Sequence, residues 1–213
     1  MALKIIAVVV ICYFIGNINN ALIISKLKKR DIRAEGSGNP GAMNMIRNFG
    51  AVIGILTLVL DAIKGAIGCL IGWFVLGESF EFGADKLGMY VGGLSVIVGH
   101  IFPVFLGFKG GKGIASSIGI CFVLNPLVAG IATLAGLIFI LVTKMGAVTS
   151  FVIIAYPLAF AGYKAALAGN LAEALITLAI FCLTLFCHRK NLYKLFTGTE
   201  NKTNLLKKKR KKA

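Results

Sequence analysis

A chain of 213 residues that is 58% apolar, with 23 Lys and Arg against 8 Asp and Glu, is too hydrophobic for an ordinary soluble domain. The net charge of +15 does not point to nucleic acid, because the basic residues bracket apolar blocks, where they serve as topology signals and meet anionic lipid. Composition therefore specifies an integral membrane protein made of helices.

The first apolar block, about 3 to 24, has no small-residue cleavage site and runs straight into the basic segment "SKLKKRDIR", which marks a retained helix rather than a removed signal peptide. Next comes "GSGNPGAMNMIRNFG", Gly36 to Gly50, poor in acids and bases. Gly36, Gly38 and Gly41 permit backbone conformations closed to other residues, and Pro40 stiffens a turn that exposes main-chain N–H groups. A short helix is expected after Pro40, its first amides adding partial positive charge toward a phosphate or carboxylate. Ser37, Asn39 and Asn44 supply neutral donors, and Arg47 supplies a fork suited to phosphate. Taken alone, the stretch reads equally well as a flexible loop entering a helix.

The second block, 51 to 76, contains Asp61 and Lys64 at i, i+3, a costly intramembrane pair that is either structural or part of a site. The acidic loop "ESFEFGADK" follows, then the third block, 87 to 107, and the segment "GHIFPVFLGFKGGKGIAS", His100 to Ser116. This is no Walker motif: with Lys112 as its lysine, Leu106 stands at the first glycine position and Gly113 at the hydroxyl position. Gly110, Gly111 and Gly113 around Lys109 and Lys112 still form a second candidate anion nest opening into a helix; the plain alternative is a tight basic turn. His100, inside an apolar block, reads as a hydrogen-bonded structural histidine.

The fourth block, 114 to 142, is overlong and carries Asn125-Pro126, which predicts two helices meeting there. Blocks at 146 to 163 and 168 to 187 complete the hydrophobic part. Beyond them lies "HRKNLYKLFTGTE", in which His188 and Asn191 share a helix face if the last helix continues, and Glu200 is the one acid. Residues 201–213 read as a basic cytoplasmic tail, and residues 1–200 as a single polytopic domain. The five cysteines lie in or at the edge of apolar blocks without metal-ligand spacing and read as packing residues.

Six unbroken blocks would leave the basic loop 26–33 and the lysine-rich tail on opposite faces, against the positive-inside tendency. Seven crossings, with the break at Asn125-Pro126, place 26–33, 107–113, Lys144 and the tail in the cytoplasm, and the N-terminus and acidic loop outside. Lys4, Lys86, Lys164 and the embedded Lys64 are then the only basic residues elsewhere. The expected architecture is an all-α bundle of seven transmembrane helices, some short or broken.

Two anion nests at one membrane face suggest a phosphorylated polar substrate and a lipid-like one. Neither histidine begins a His-x4-Asp motif, and there is no G-x-S-x-G elbow or H-E-x-x-H site. Catalysis by positioning and charge neutralisation fits, and so does transport of phosphorylated solutes; a scaffold holding anionic lipid through its tail is a third reading.

"GSGNPGAMNMIRNFG", "GHIFPVFLGFKGGKGIAS" and "HRKNLYKLFTGTE", in this order, closely resemble the three signature regions of bacterial acyl-phosphate:glycerol-3-phosphate acyltransferases, and "LDAIKG" resembles a further family segment. The resemblance implies an inner-membrane, multi-pass enzyme of seven helices, with its site on the cytoplasmic side. It would move an acyl group from acyl phosphate to the 1-hydroxyl of glycerol 3-phosphate, giving lysophosphatidic acid and phosphate. It implies functional roles for Ser37 and Arg47, glycerol 3-phosphate binding by the Gly110–Gly113 segment with Lys112, a polar pair in His188 and Asn191, and a structural role for Glu200. No metal or cofactor is expected, and a monomer is the simplest assembly. Two departures stand out: Met43 where a threonine is usual, and Gly16-Asn17-Ile18-Asn19 in place of a Gly-Ser-Ile-Pro run.

Overall fold

A computed structural model describes residues 1–77, 86–200 and 202–203. Most of the acidic stretch expected outside, and the lysine run of the tail, lie outside the described residues. Among the described residues the chain is helical: α1 Ala2–Asn17, α2 Asn20–Leu27, α3 Ala42–Phe49, α4 Ala51–Leu76, α5 Leu87–Ile101, α6 Ile114–Leu124, α7 Pro126–Thr143, α8 Gly146–Leu167, α9 Leu171–Cys187 and α10 Arg189–Phe196.

Among the described residues, five spans are long and apolar enough to cross a membrane, and a sixth is added if α9 and α10, bent by 58° at His188, count as one. The expected break at Asn125-Pro126 is present: α6 stops at Leu124 and Pro126 opens α7, where its missing N–H costs nothing. With 11 residues, α6 reaches ~16 Å at 1.5 Å per residue, about half of a hydrocarbon core, and is the short helix expected from the split block rather than one of the full-length spans.

The first block, read from the sequence as one retained helix, forms two helices. It is interrupted between α1 and α2, where the Asn19 side chain accepts from the Leu22 N–H at 2.9 Å and caps α2. Breaking a helix inside an apolar slab frees carbonyls that lipid cannot satisfy. Lys64 of α4 meets them: its Nζ donates to the Ile18 carbonyl at 2.6 Å and the Gly16 carbonyl at 3.2 Å, and lies 3.2 Å from Asp61 Oδ1. Asn20 donates to the same carboxylate oxygen at 2.8 Å, and His100 Nδ1 lies 2.8 Å from Lys64 Nζ. The pair Asp61–Lys64 is thus a buried cap on the broken first span, which favours the structural alternative over a site role.

Close backbone approach holds α4 at the centre. A Cβ on Gly119 of α6 would collide with the Ala62 carbonyl of α4, and a Cβ on Gly72 of α4 would collide with the Gly88 carbonyl of α5. The main core joins α4, α5 and α6 to α8 and α9 through Cys69, Met89, Ile97, Ile120, Ile154 and Ile180. Large apolar side chains such as Val52, Phe74, Leu127 and Val142 point outward, as a lipid-facing surface requires. Cys12, Cys69 and Cys121 pack in the interior as expected; Cys182 is exposed on that outer face instead.

Candidate active site

Helix α3 is the short helix expected after Pro40. Met45 and Ile46 face inward, and Met45 joins Ala21, Leu22 and Ile32 in a small core beneath the first glycine-rich stretch. Arg30 binds this stretch from above, pairing with Glu35 and lying 4.4 Å over the Phe49 ring. Asn19 Nδ2 donates to the Pro40 carbonyl at 3.3 Å, so the run that departs from the family pattern supports the loop directly.

Within the loop, Gly36 (φ 56°) and Gly38 (φ 70°) take the left-handed conformation that only glycine adopts at little cost. Their setting differs from the open amide nest expected. The Ser37 N–H donates to Asn44 Oδ1 at 3.1 Å, and the Gly38 N–H to the Glu35 carbonyl at 2.9 Å. Asn44, only 1% exposed, spends its amide on the Glu35 and Ile32 carbonyls at 2.9 and 3.3 Å. A buried Asn with these partners organises the loop; the expectation that it donates to a phosphate is not carried by this geometry. Ser37 is exposed at the loop surface, Asn39 and Gly41 are half-buried at its exit, and Gly41 precedes α3.

The second glycine-rich segment folds back on the end of α5. Gly110 and Gly111 donate their N–H groups to the Ile101 and His100 carbonyls at 3.1 and 3.0 Å. A Cβ on Gly110 would collide with the His100 carbonyl, and one on Gly111 with the His100 ring. These glycines are therefore required by contact with buried His100, which the sequence reading of an anion nest did not anticipate. Gly113 (φ 83°) caps the start of α6, and half-buried Lys112 directly precedes it.

Lys112 Nζ donates to Asn191 Oδ1, and Asn191 Nδ2 donates to both oxygens of Glu200 at 3.1 and 3.3 Å. The carboxamide is thereby locked in one orientation, its oxygen toward the cation and its nitrogen toward the anion. Burial brings the Lys112 ammonium down to about 8, with Glu200 opposing and Arg47 reinforcing. Burial also lowers Arg47, again opposed by Glu200. Arg47, Lys112, Asn191 and Glu200 thus share one electrostatic site although 153 positions separate the first from the last.

His188 sits at the 58° bend, 3% exposed, with the Phe151 ring edge-on at 5.2 Å. The last helix does not continue straight through this point: α9 ends at Cys187 and α10 begins at Arg189. His188 Nδ1 lies 2.9 Å from the Thr184 carbonyl, and since a carbonyl only accepts, Nδ1 carries the proton and Nε2 the lone pair. Burial first, then the Lys112 charge, take the imidazole down to about 4, so it is neutral at neutral pH.

The structure also brings in a residue the sequence reading missed. Thr203, 1% exposed, accepts from Arg47 Nε at 2.7 Å. No motif flags it; a single threonine in a basic tail gives no signal.

The family described as "Glycerol-3-phosphate acyltransferase" matches residues 6–198. A glycerol-3-phosphate acyltransferase of Thermoanaerobacter pseudethanolicus is 38% identical over 197 residues, covering 91% of this chain and 92% of the relative. One from Aquifex aeolicus is 34% identical over 203 residues, covering 94% and 100%. Among solved structures, PlsY (YgiH), an integral membrane glycerol 3-phosphate acyltransferase in its glycerol 3-phosphate form, superposes with a TM-score of 0.81 at 33% identity, covering 95% of this chain and 96% of that one. Its lysophosphatidic acid form superposes with a TM-score of 0.78.

Proposed function

We propose that this chain, which belongs to the glycerol-3-phosphate acyltransferase family, transfers a fatty acyl group from acyl phosphate to the 1-hydroxyl of glycerol 3-phosphate, releasing lysophosphatidic acid and inorganic phosphate. The observation that carries the reading is the meeting of Arg47 and Lys112, from two separate glycine-rich segments, around Asn191 and Glu200.

An acyl phosphate is a mixed anhydride and is already activated, so the protein needs no nucleophile of its own. The C1 oxygen attacks the acyl carbonyl carbon, and the bond from that carbon to the phosphate oxygen breaks with its electron pair on the phosphate. Arg47 and Lys112 hold phosphate groups and stabilise charge growing on the leaving group. Ser37, Gly36, Gly38, Asn39 and Gly41 shape the rim beside Arg47, while Gly110, Gly111 and Gly113 set the path of Lys112.

The hydroxyl proton goes to the departing phosphate. An imidazole at about 4 is a poorer base than a phosphate, whose second ionisation lies near ~6. His188 instead accepts through Nε2 from the second, non-attacking hydroxyl of glycerol 3-phosphate and orients the substrate, leaving the attacking hydroxyl's proton to the phosphate. Glu200 holds Asn191 and moderates the two cations, a supporting role.

The chain crosses the bacterial inner membrane seven times, with α6 and α7 as separate crossings, the N-terminus outside and the site facing the cytoplasm. The placement of Lys and Arg beside the site supports this sidedness. One domain spans residues 1–200, and a monomer is the simplest assembly. Purified protein in lipid, given palmitoyl phosphate and glycerol 3-phosphate, is expected to release phosphate and form lysophosphatidic acid only when both are present. A folded, reconstituted sample that forms no product would overturn the reading.

A further inference from the structure

Residues 201–213 carry ten basic and polar positions whose sequence suggests only topology and lipid contact, yet part of this segment enters the site. Lys202 pairs in antiparallel fashion with Met145, and the Thr203 N–H donates to the Lys144 carbonyl at 2.8 Å. The turn joining α7 to α8 thus anchors the chain beyond Glu200. That anchoring places the Thr203 hydroxyl 2.7 Å from Arg47 Nε, with 1% of the residue exposed. Gly146, at the start of α8, lies beside the same guanidinium: a Cβ there would be 3.8 Å from Arg47 Nη2.

We propose that Thr203 is a positioning residue for the acyl transfer: its hydroxyl holds the Nε edge of Arg47 and so fixes the plane in which the guanidinium meets a phosphate. The proposal rests on the reading of Arg47 as a phosphate-binding residue. Thr203 lies beyond residues 6–198, the part that matches the family, so it extends the site with a segment outside that match. The physical need is clear. Arginine loses considerable rotamer freedom when it is fixed, and a guanidinium already oriented before substrate arrives spares that loss during binding and reaction. A threonine held by its own backbone to another element is a rigid acceptor.

The test compares Thr203→Val, which keeps shape and removes the hydroxyl, with Thr203→Ser, which keeps the hydroxyl, in reconstituted full-length protein. Thr203→Val is expected to lower kcat/KM by roughly tenfold or more, the scale of one hydrogen bond to a charged group, while Thr203→Ser stays within about threefold of the parent. In an Arg47→Lys background, which lacks Nε, Thr203→Val is expected to have almost no further effect. Ending the chain after Leu205 keeps activity, and ending it after Asn201 reproduces the Thr203→Val loss. If Thr203→Val matches or exceeds the parent, or if its effect is undiminished in the Arg47→Lys background, the proposal is overturned. If Arg47→Ala itself keeps near-normal turnover, the underlying reading of Arg47 fails instead, and the two failures are distinguished.

Discussion

Glu200→Gln isolates the electrostatics of the site, because it changes one charge and almost no volume. Glu200 opposes the burial that brings Lys112 down to about 8, and it acts across one carboxamide, that of Asn191. At an effective dielectric near 20, a unit charge at that remove is worth on the order of 2 kcal/mol. Both groups are half-exposed, so screening reduces this to about 1 kcal/mol, or somewhat less than one pH unit. Phosphate binding needs Lys112 protonated, so activity falls as pH rises through its pKa. Removing the nearby anion makes the ammonium easier to deprotonate, and the alkaline limb of kcat/KM therefore moves to lower pH, by roughly half to one pH unit. The assay is phosphate release between pH 6 and 9.5 by parent and variant under identical conditions, so that ionisation of the substrates cancels in the difference. A limb that stays in place or moves to higher pH, in a variant that purifies as a folded species, would refute the assignment of Glu200 as the counter-charge to Lys112.

Other outcomes follow from the same geometry. Arg47→Ala and Lys112→Ala are each expected to lower turnover by at least roughly a hundredfold, the scale of losing a charge-stabilising donor; near-normal turnover in both would remove them from the site. His188→Gln is expected to cost less than about tenfold, because the proton leaves with phosphate; a loss of a thousandfold would make His188 the base. The imidazole lies at about 4 in the folded protein against 6.5 when free, so the unfolded chain takes up a proton first as pH falls. Stability is lost between about pH 6.5 and 4, and thermal unfolding of His188→Gln should be flatter across that window than that of the parent. Lys64→Met leaves Asp61 and the Gly16 and Ile18 carbonyls without their cation, and is expected to destabilise by about 3–5 kcal/mol, read as a lowered Tm; an unchanged Tm would contradict the capping role.

The apolar blocks were legible because a bilayer demands long uninterrupted hydrophobic runs, and Asn125-Pro126 disclosed its own break. The break at Ile18-Asn19 was harder, since a single capping asparagine among apolar residues resembles an ordinary polar position. What makes the break stable is a lysine 46 residues away, and such a pairing is invisible along the chain. Three motifs sufficed to nominate Arg47, Lys112, His188, Asn191 and Glu200. They did not reveal that the loop glycines serve contacts with Asn44, Asn48 and His100, because glycine beside lysine or arginine looks the same whether its amide faces a ligand or another turn. Met43 packs against Gly146 at the start of α8, a contact its replacement of threonine did not foreshadow. Thr203 lay beyond reach for a simpler reason: its role depends on the tail docking on the α7–α8 turn.

The central claim is that two cations and a pre-activated donor suffice, with no acylated intermediate on the protein. Its most direct test is a rapid-mixing experiment with stoichiometric, acyl-labelled palmitoyl phosphate and no glycerol 3-phosphate. Expected are no burst of phosphate and no label bound covalently to the protein, and prompt release of both phosphate and lysophosphatidic acid once glycerol 3-phosphate is added. A burst of about one phosphate per protein with label retained after denaturation would contradict it.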